Sequence, residues 1–454
     1  MNGGNRKHSM AELIEAMYPL HRSMTGQGVR QTFDLLSRWL PLDVYEVPSG
    51  KSVFDWNVPQ EWSVRDAFIE TESGERLVNY ADSNLHILNG SSSIDATLQW
   101  TELAPHVHSL KDRPSSIPYR TAFLRNEWGF CVTDDVRRNL AAINESLRVR
   151  IDSSYFDGSL SYAEWTLDGE SEDSVLIYCH TCHPSLANDN LSGIAVAAQL
   201  AQQLLTKQRR LTYRFVFAPA TIGAVVWLAE NQNHVVPTIR HGLVLSLLGS
   251  NAPFTYKRSR QEDCLTDQIV SQHVTARGGE VRRFCPFGYD ERQFCSPGFD
   301  LPVGCLTRTP HAEFPEYHTS DDNLDFIQEE RLFESVLLLE QIMDSFEAHI
   351  PPNWVSTSKR ARSVQSPSVE KPLRCQSHCE PFLGKYDLYT AFGQKPQTPR
   401  EQESLMWVLN LSDGHHSPKD MAQRSHLDEV EIHCAIEKLR ALELIEIPSG
   451  VIEK

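Results

Sequence analysis

Val175-Leu176-Ile177-Tyr178-Cys179-His180-Thr181-Cys182-His183-Pro184-Ser185-Leu186-Ala187-Asn188-Asp189-Asn190-Leu191-Ser192-Gly193 is the stretch on which the reading of this chain turns. Its first four residues form a continuous apolar run, the pattern of a strand buried on both faces. Pro184 then blocks immediate helix formation, and the polar residues up to Gly193 lead into a helical pattern over 194–205. Similar apolar runs recur at 213–217, 243–248 and 301–306, with helical patterns at 264–274 and 329–346. Strand, loop and helix in alternation argue an α/β sandwich. In an open sheet of this kind ligands bind beyond the C-terminal ends of the strands, so His180, His183 and Asp189 are placed where a site would form.

Working outward, residues 10–40 read as two amphipathic helices separated by the glycine- and hydroxyl-containing segment 21–28. The character changes after 47: short alternating runs at 66–70 and 76–80 flank Ser73-Gly74-Glu75, a hairpin signature, and the stretch reads as a β-rich insertion. Trp56, Trp62 and Trp128 within it read as core or interface residues. Residues 351–380 are rich in Ser, Pro, Lys and Arg and read as a linker or strap, its basic run 356–362 solvated. Helical patterns at 402–410, 418–424 and 430–442 precede two short strands, 444–447 and 451–452, around Pro448-Ser449-Gly450, the outline of a winged helix. The expected division is 1–46 as the N-terminal helical part of the main domain, 47–138 as the β insertion, 139–350 as the main domain, 351–380 as the strap and 381–454 as the winged helix.

The 454 residues carry 43 Lys and Arg against 60 Asp and Glu, a net charge of −17 that repels phosphate backbones and anionic lipid. Within 400–454 the balance is six basic to eleven acidic residues, so nucleic acid is not the expected partner even of a winged helix, which reads as a docking or dimerisation module. No run approaches the ~18 apolar residues of a membrane span, and Met1 to His8 are polar rather than an export signal. Ten cysteines without paired zinc-ribbon spacing suit a reducing, cytoplasmic setting. Oligomer formation is expected, if anywhere, through the insertion or the winged helix.

Three readings of the central segment compete. Cys179-His180-Thr181-Cys182 matches C-x-x-C, but a redox motif needs a helix opening at the first cysteine, and here Cys179 still belongs to the strand. His180 and His183 could be satisfied loop histidines, with Asp189 capping the helix. The third reading is a metal site, and it needs partners elsewhere. Those partners are His318, backed by Asp321, Asp322 and Asp325, and the loop carboxylates Asp290 and Glu291. Imidazole and carboxylate donors from separate strand ends are what a hydrolytic zinc site uses. Arg308 and His311 follow a strand end, where a cation would hold a substrate carboxylate or simply form a surface ion pair. Residues 256–260 read as a solvated basic loop.

The order His180, Asp189-Asn190-Leu191-Ser192-Gly193, Tyr289-Asp290 with Phe294, and Tyr317-His318-Thr319 with Asp322 resembles the zinc aminopeptidase and glutaminyl cyclase superfamily. Tyr18-Pro19-Leu20-His21-Arg22-Ser23, Trp128-Gly129-Phe130-Cys131, the run 180–190 and Arg308-Thr309-Pro310-His311 resemble its aminopeptidase-like branch, with an inserted β domain and a C-terminal winged helix. The resemblance spans nearly the whole chain. It implies a zinc-exopeptidase-like α/β/α sandwich with a mixed sheet, and a metal-dependent hydrolase or amide-processing enzyme for a small peptide or aminoacyl conjugate. By the same resemblance His180, Asp189 and His318 are metal ligands, His183 is a candidate further ligand, Asp290 acts near the substrate, and Asn190 orients Asp189. The chain also departs from the pattern. The superfamily's Glu-Glu pair, general base and metal ligand, is replaced by Pro219-Ala220-Thr221-Ile222-Gly223, and the next strand ends in Ser246 and Ser250 instead of an aspartate. One zinc rather than two is therefore expected, with Asp290, Glu291 or His183 taking the proton. The alternative is a member of the superfamily without peptidase activity, a scaffold or a catalyst of non-hydrolytic acyl transfer.

Overall fold

The computed structural model describes residues 9–122, 124–349, 374–375, 377–386, 388 and 400–446. Its centre is an eight-stranded mixed sheet in the order Asp43–Pro48, Ser159–Leu167, Thr212–Ala218, Ser174–His180, Ile239–Leu245, Val303–Thr307, Thr255–Lys257, Glu280–Arg282. The four apolar runs of the sequence form its parallel middle, with Ser174–His180 between Thr212–Ala218 and Ile239–Leu245. Antiparallel strands extend it on both sides.

Alternation along the central strand builds two cores. Val175, Ile177 and Cys179 face a layer containing Met10, Phe33, Ile194, Ile269 and Leu339, whereas Leu176 and Tyr178 face Trp56, Ile222, Trp227 and Phe294. Helices Met10–Met17, Gln27–Leu36, Gly193–Leu205, Leu265–Thr275 and Glu329–Ala348 supply the first layer, and Ile222–Asn231 with Glu291–Phe294 the second. The result is the α/β/α sandwich, buried on both faces. Residues 256–260 differ from the solvated loop expected of them. Tyr256, Ser259 and Arg260 are buried, and Lys257 forms an ion pair with buried Glu291, because Thr255–Lys257 is an internal strand and the residues after it bond to Asp267 and to Asn410 and Asp413 of the winged helix.

A second sheet, Arg76–Asn79, Glu61–Glu70, Leu147–Phe156, Ile94–Leu98, is antiparallel throughout and carries its own core around Ile69, Phe130 and Val149. It continues past residue 138 to Phe156, where a tight turn passes the chain into Ser159–Leu167 of the main sheet. Trp62 is buried in this core, and Trp128 packs against it with its ring stacked on His106.

Near the C-terminus, helices Arg400–Leu411, Pro418–Ser425 and Glu429–Ala441 enclose Leu405, Val408, Met421, Ile432 and Leu439. Ser417 caps the second helix through a capping box with Asp420. Strand Ile445–Glu446 pairs with Arg374–Cys375. The expected second wing strand, 451–452, and the basic run 356–362 lie outside the described residues.

Candidate metal centre

His180 is the last residue of strand Ser174–His180, and the chain turns there because Pro184 prevents a direct passage into the helix. Residues Ala187–Ser192 form a wide helical turn, interrupted by non-helical backbone at Asp189 and Asn190. Asn190 bolts this turn to the sheet: its Nδ2 donates to Leu245 O at 3.0 Å and its Oδ1 accepts from Leu247 N at 3.3 Å. The Asp322 carboxylate accepts from the backbone amides of Asn188 at 2.6 Å and Asp189 at 2.9 Å. The Asp189 side chain is thereby held at the strand ends, fully buried.

Three imidazoles converge on it. His180 Nε2 lies 2.8 Å from Asp189 Oδ1, His183 Nδ1 3.9 Å from the same oxygen, and His318 Nε2 3.1 Å from Oδ2. The Tyr289 hydroxyl donates to Oδ1 at 3.4 Å. Ligand atoms of His180, His183 and Asp189 lie within 4.8 Å of one another, compared with about 3.3 Å between donors in a tetrahedral zinc shell. Burial alone would raise the Asp189 carboxyl, but His183, His180 and His318 outweigh it and hold the group well below the carboxylate range. Burial pushes the His183 imidazole well below its ordinary value, against the pull of Asp189. Nδ1 of His180 and Nδ1 of His318 are buried without a hydrogen-bond partner. Imidazole and carboxylate donors converging in a buried cluster fit a divalent zinc-like ion.

The remaining candidates divide. Asp290 follows Tyr289, and burial raises its carboxyl to about 6, opposed by His180 and Arg292. Glu291 turns instead to Lys257, whose Nζ also donates to Cys285 O at 3.3 Å and to Phe287 O. Together Lys257 and Glu291 line a pocket of about 210 Å³ with Tyr289, His311 and Cys305. His311 faces the rings of Tyr289 and Tyr317 at 5.5 and 5.3 Å, beside the cluster. Arg308 lies outside it. Its Nη1 donates to Ala252 O at 2.9 Å, its Nη2 to Glu334 at 2.7 Å and its Nε to Ser335 at 3.2 Å, stapling helix Glu329–Ala348.

Two contributors escaped the sequence reading. Buried Arg22 donates to His183 O at 2.7 Å and Pro184 O at 3.1 Å, fixing the turn that carries His183. Tyr119, from the β insertion, sets its ring edge-on to both His183 and His318. Arg22 carried a signal in the motif 18–23; Tyr119 carried none.

Residues 11–349 match the family model described as Domain of unknown function (DUF4910). The chain belongs to the DUF4910 family. Residues 371–447 match a winged helix-turn-helix model. A Clostridium acetobutylicum relative named "Putative polysaccharide biosynthesis protein with aminopeptidase-like domain" is 37% identical over 437 residues, spanning 96% of this chain and 95% of the relative. A crystal structure of a "putative peptidase" from the same species superposes with a TM-score of 0.73 at 33% identity, over 97% of this chain and 96% of that one. A zinc aminopeptidase from Bacillus subtilis superposes with a TM-score of 0.52 at 13% identity, over 74% and 95% of the two chains, which shows a shared fold. This DUF4910 chain therefore has the zinc aminopeptidase fold extended by a C-terminal winged helix.

Proposed function

We propose that this DUF4910 protein is a cytoplasmic, metal-dependent hydrolase that cleaves an amide bond in a small peptide or aminoacyl conjugate. The observation that carries the reading is the convergence of His180, His183 and His318 on the buried Asp189 carboxylate at the strand ends. One zinc would be held by His180, Asp189 and His318, with His183 as a further donor, and when bound it would supply Lewis-acid polarisation of the scissile carbonyl. Asn190 and Asp322 hold the Asp189 turn against the sheet. Tyr119 and Tyr317 pack on the imidazoles and keep bulk water from that side. Asp290, with a carboxyl that titrates at about 6, accepts a proton near neutral pH and returns it to the leaving amine. The pocket beside Tyr289 and His311 receives the substrate side chain. All ten cysteines are free thiols, in keeping with a reducing compartment.

A second reading has its own observation: Pro219-Ala220-Thr221 brings no carboxylate to the strand end where the superfamily places its general base and a metal ligand. On that reading the scaffold performs non-hydrolytic amide chemistry or serves as a binding module. The name of the Clostridium relative also puts amides on sugars among the substrates to try.

Elemental analysis of untagged protein, with His180→Ala and His318→Ala alongside, tests the proposal. About one zinc per chain, lost in both variants, is expected for a single catalytic ion. No metal uptake after incubation with zinc would sink the hydrolase reading. Metal binding without turnover on panels of aminoacyl amides and N-acyl amino sugars would shift the assignment to the second reading.

A further inference from the structure

The residues between His318 and Asp322 link the two halves of the cluster, and both ends of this short loop are held by other parts of the chain. Asp322 grips the amides of Asn188 and Asp189, and its own carbonyl accepts from Ala187 N at 2.9 Å. The other edge is held by the β insertion. Tyr119 N donates to His318 O at 2.7 Å, Ser320 N donates to Ile117 O at 2.8 Å, and Pro118 forms an antiparallel bridge with Thr319. Ile117 N donates to Ser320 Oγ at 2.9 Å, Ser116 Oγ donates to Asp321 at 2.6 Å, and Arg113 pairs with the same carboxylate.

His318 needs that support. Its φ is +53°, in the left-handed region that residues with a Cβ occupy only where the surroundings hold them there. The Tyr119 ring lies 5.0 Å from the His318 ring at 83° and 5.2 Å from the His183 ring at 73°, and the two imidazoles are themselves 5.0 Å apart, so Tyr119 sits against both. Behind it, Tyr119 forms a small buried cluster with Leu85 of the insertion and Leu186 of the metal-binding turn.

We infer that segment 113–119 of the β insertion is a positioning element of the metal centre, with Tyr119 and the Arg113/Ser116–Asp321 contacts setting where the His318 imidazole stands. The inference rests on the proposed role of His318 as a ligand. The insertion then completes the site rather than merely decorating the fold. Removing a residue that orients a ligand commonly weakens metal binding ~10–100-fold without touching the ligands themselves.

The test uses the full chain, measuring zinc affinity by competition with a chromophoric chelator, the visible absorption of the cobalt(II) form, and the melting temperature of the metal-free protein. Tyr119→Ala and Asp321→Ala are expected to weaken zinc about tenfold or more and to shift the cobalt bands as His318→Ala does, at near wild-type metal-free melting temperature. Tyr119→Phe, which keeps the ring, should restore affinity to within about threefold of wild type, well short of the loss expected for an orienting residue. Should Tyr119→Ala not fold, Tyr119→Leu preserves the cluster with Leu85 and Leu186 while removing the flat ring, and carries the same expectation. Wild-type zinc affinity in the Tyr119 and Asp321 variants, beside a weakened His318→Ala, would overturn the positioning role alone. An unchanged His318→Ala would remove the ligand reading, and this inference with it.

Discussion

Gly193 shows how little space surrounds Asp189. A Cβ at this position would meet Asn190 Oδ1 at 2.4 Å and Leu245 O at 2.7 Å, and Asn190 is the side chain that fastens the metal-binding turn to the sheet. Gly193→Ala should therefore displace Asn190, destabilise the protein by about 1–3 kcal/mol and reduce zinc loading; a thermal melt and a metal assay check both, and a variant unchanged in either would show that the turn yields without moving Asp189. Arg22 makes a different demand. Its guanidinium is buried and bonded to the carbonyls of Met17, His183 and Pro184, so Arg22→Lys keeps the charge but loses the fork. A loss of about 1–3 kcal/mol is expected, since the carbonyls it leaves are buried, and urea unfolding reads it. These residues also mark what the sequence could disclose. His180, Asp189, Asn190 and Gly193 were legible because they fall in one short stretch that leaves a recognisable strand and leads into a helix. Tyr119 was not, because its partners lie on the far side of an insertion and an isolated tyrosine has no pattern.

At the scale of elements, buried apolar strands announced the parallel centre of the sheet, since both faces are covered and little polarity interrupts them. The outer strands escaped notice for the opposite reason. Asp43–Pro48 is largely exposed, and Thr255–Lys257 is short and bears a charge that only its buried partner Glu291 explains. The winged helix was legible from three helical patterns followed by two short strand patterns, but its attachment was not. Arg260 pairs with Asp300 and Asp413 and donates to Asn410 at 3.1 Å, joining the strand region to the first helix of the wing. Burial alone would raise the Asp413 carboxyl, but His416 and Arg260 outweigh it and hold the group below its ordinary range. A depressed folded pKa gives stability that is fully present above the unfolded value of ~3.9 and is lost as pH falls through the folded value. Asp413→Asn should thus cost about 2 kcal/mol at pH 7, below the usual ~3–5 for breaking a buried pair because Arg260 keeps Asp300. Melting curves from pH 7 downwards should show wild type and variant converging below pH ~4; a constant gap would mean that Asp413 acts through packing and not through charge.

For the molecule as a whole, the open question is whether the winged helix is a passenger. A tethered module would leave the main domain intact when removed, and the composition of 351–380 suggests such a tether. The contacts argue otherwise. Phe284 and Cys295 of the main domain share one apolar core with Leu405, Trp407 and Leu439 of the wing. The described residues just before the winged helix are fixed as well: Trp56 Nε1 donates to Glu380 O at 2.8 Å, Phe382 N donates to Asp55 at 2.9 Å, and the Glu380 carboxylate pairs with Arg292 at 3.3 Å and accepts from Gln293 at 3.2 Å. Arg292 and Gln293 belong to the short helix Glu291–Phe294 that begins immediately after Asp290. Glu380 thus holds the element that positions the proposed proton carrier. A chain ended at residue 349 should expose Phe284 and Cys295, melt at least ~5 °C lower and aggregate, and Glu380→Ala in the full chain should lower turnover more than zinc content, because it loosens the Asp290 segment and leaves His180, Asp189 and His318 in place. If the shortened chain keeps its melting temperature, zinc and turnover, the wing is an appendage, and its shared core with the main domain contributes nothing to the site.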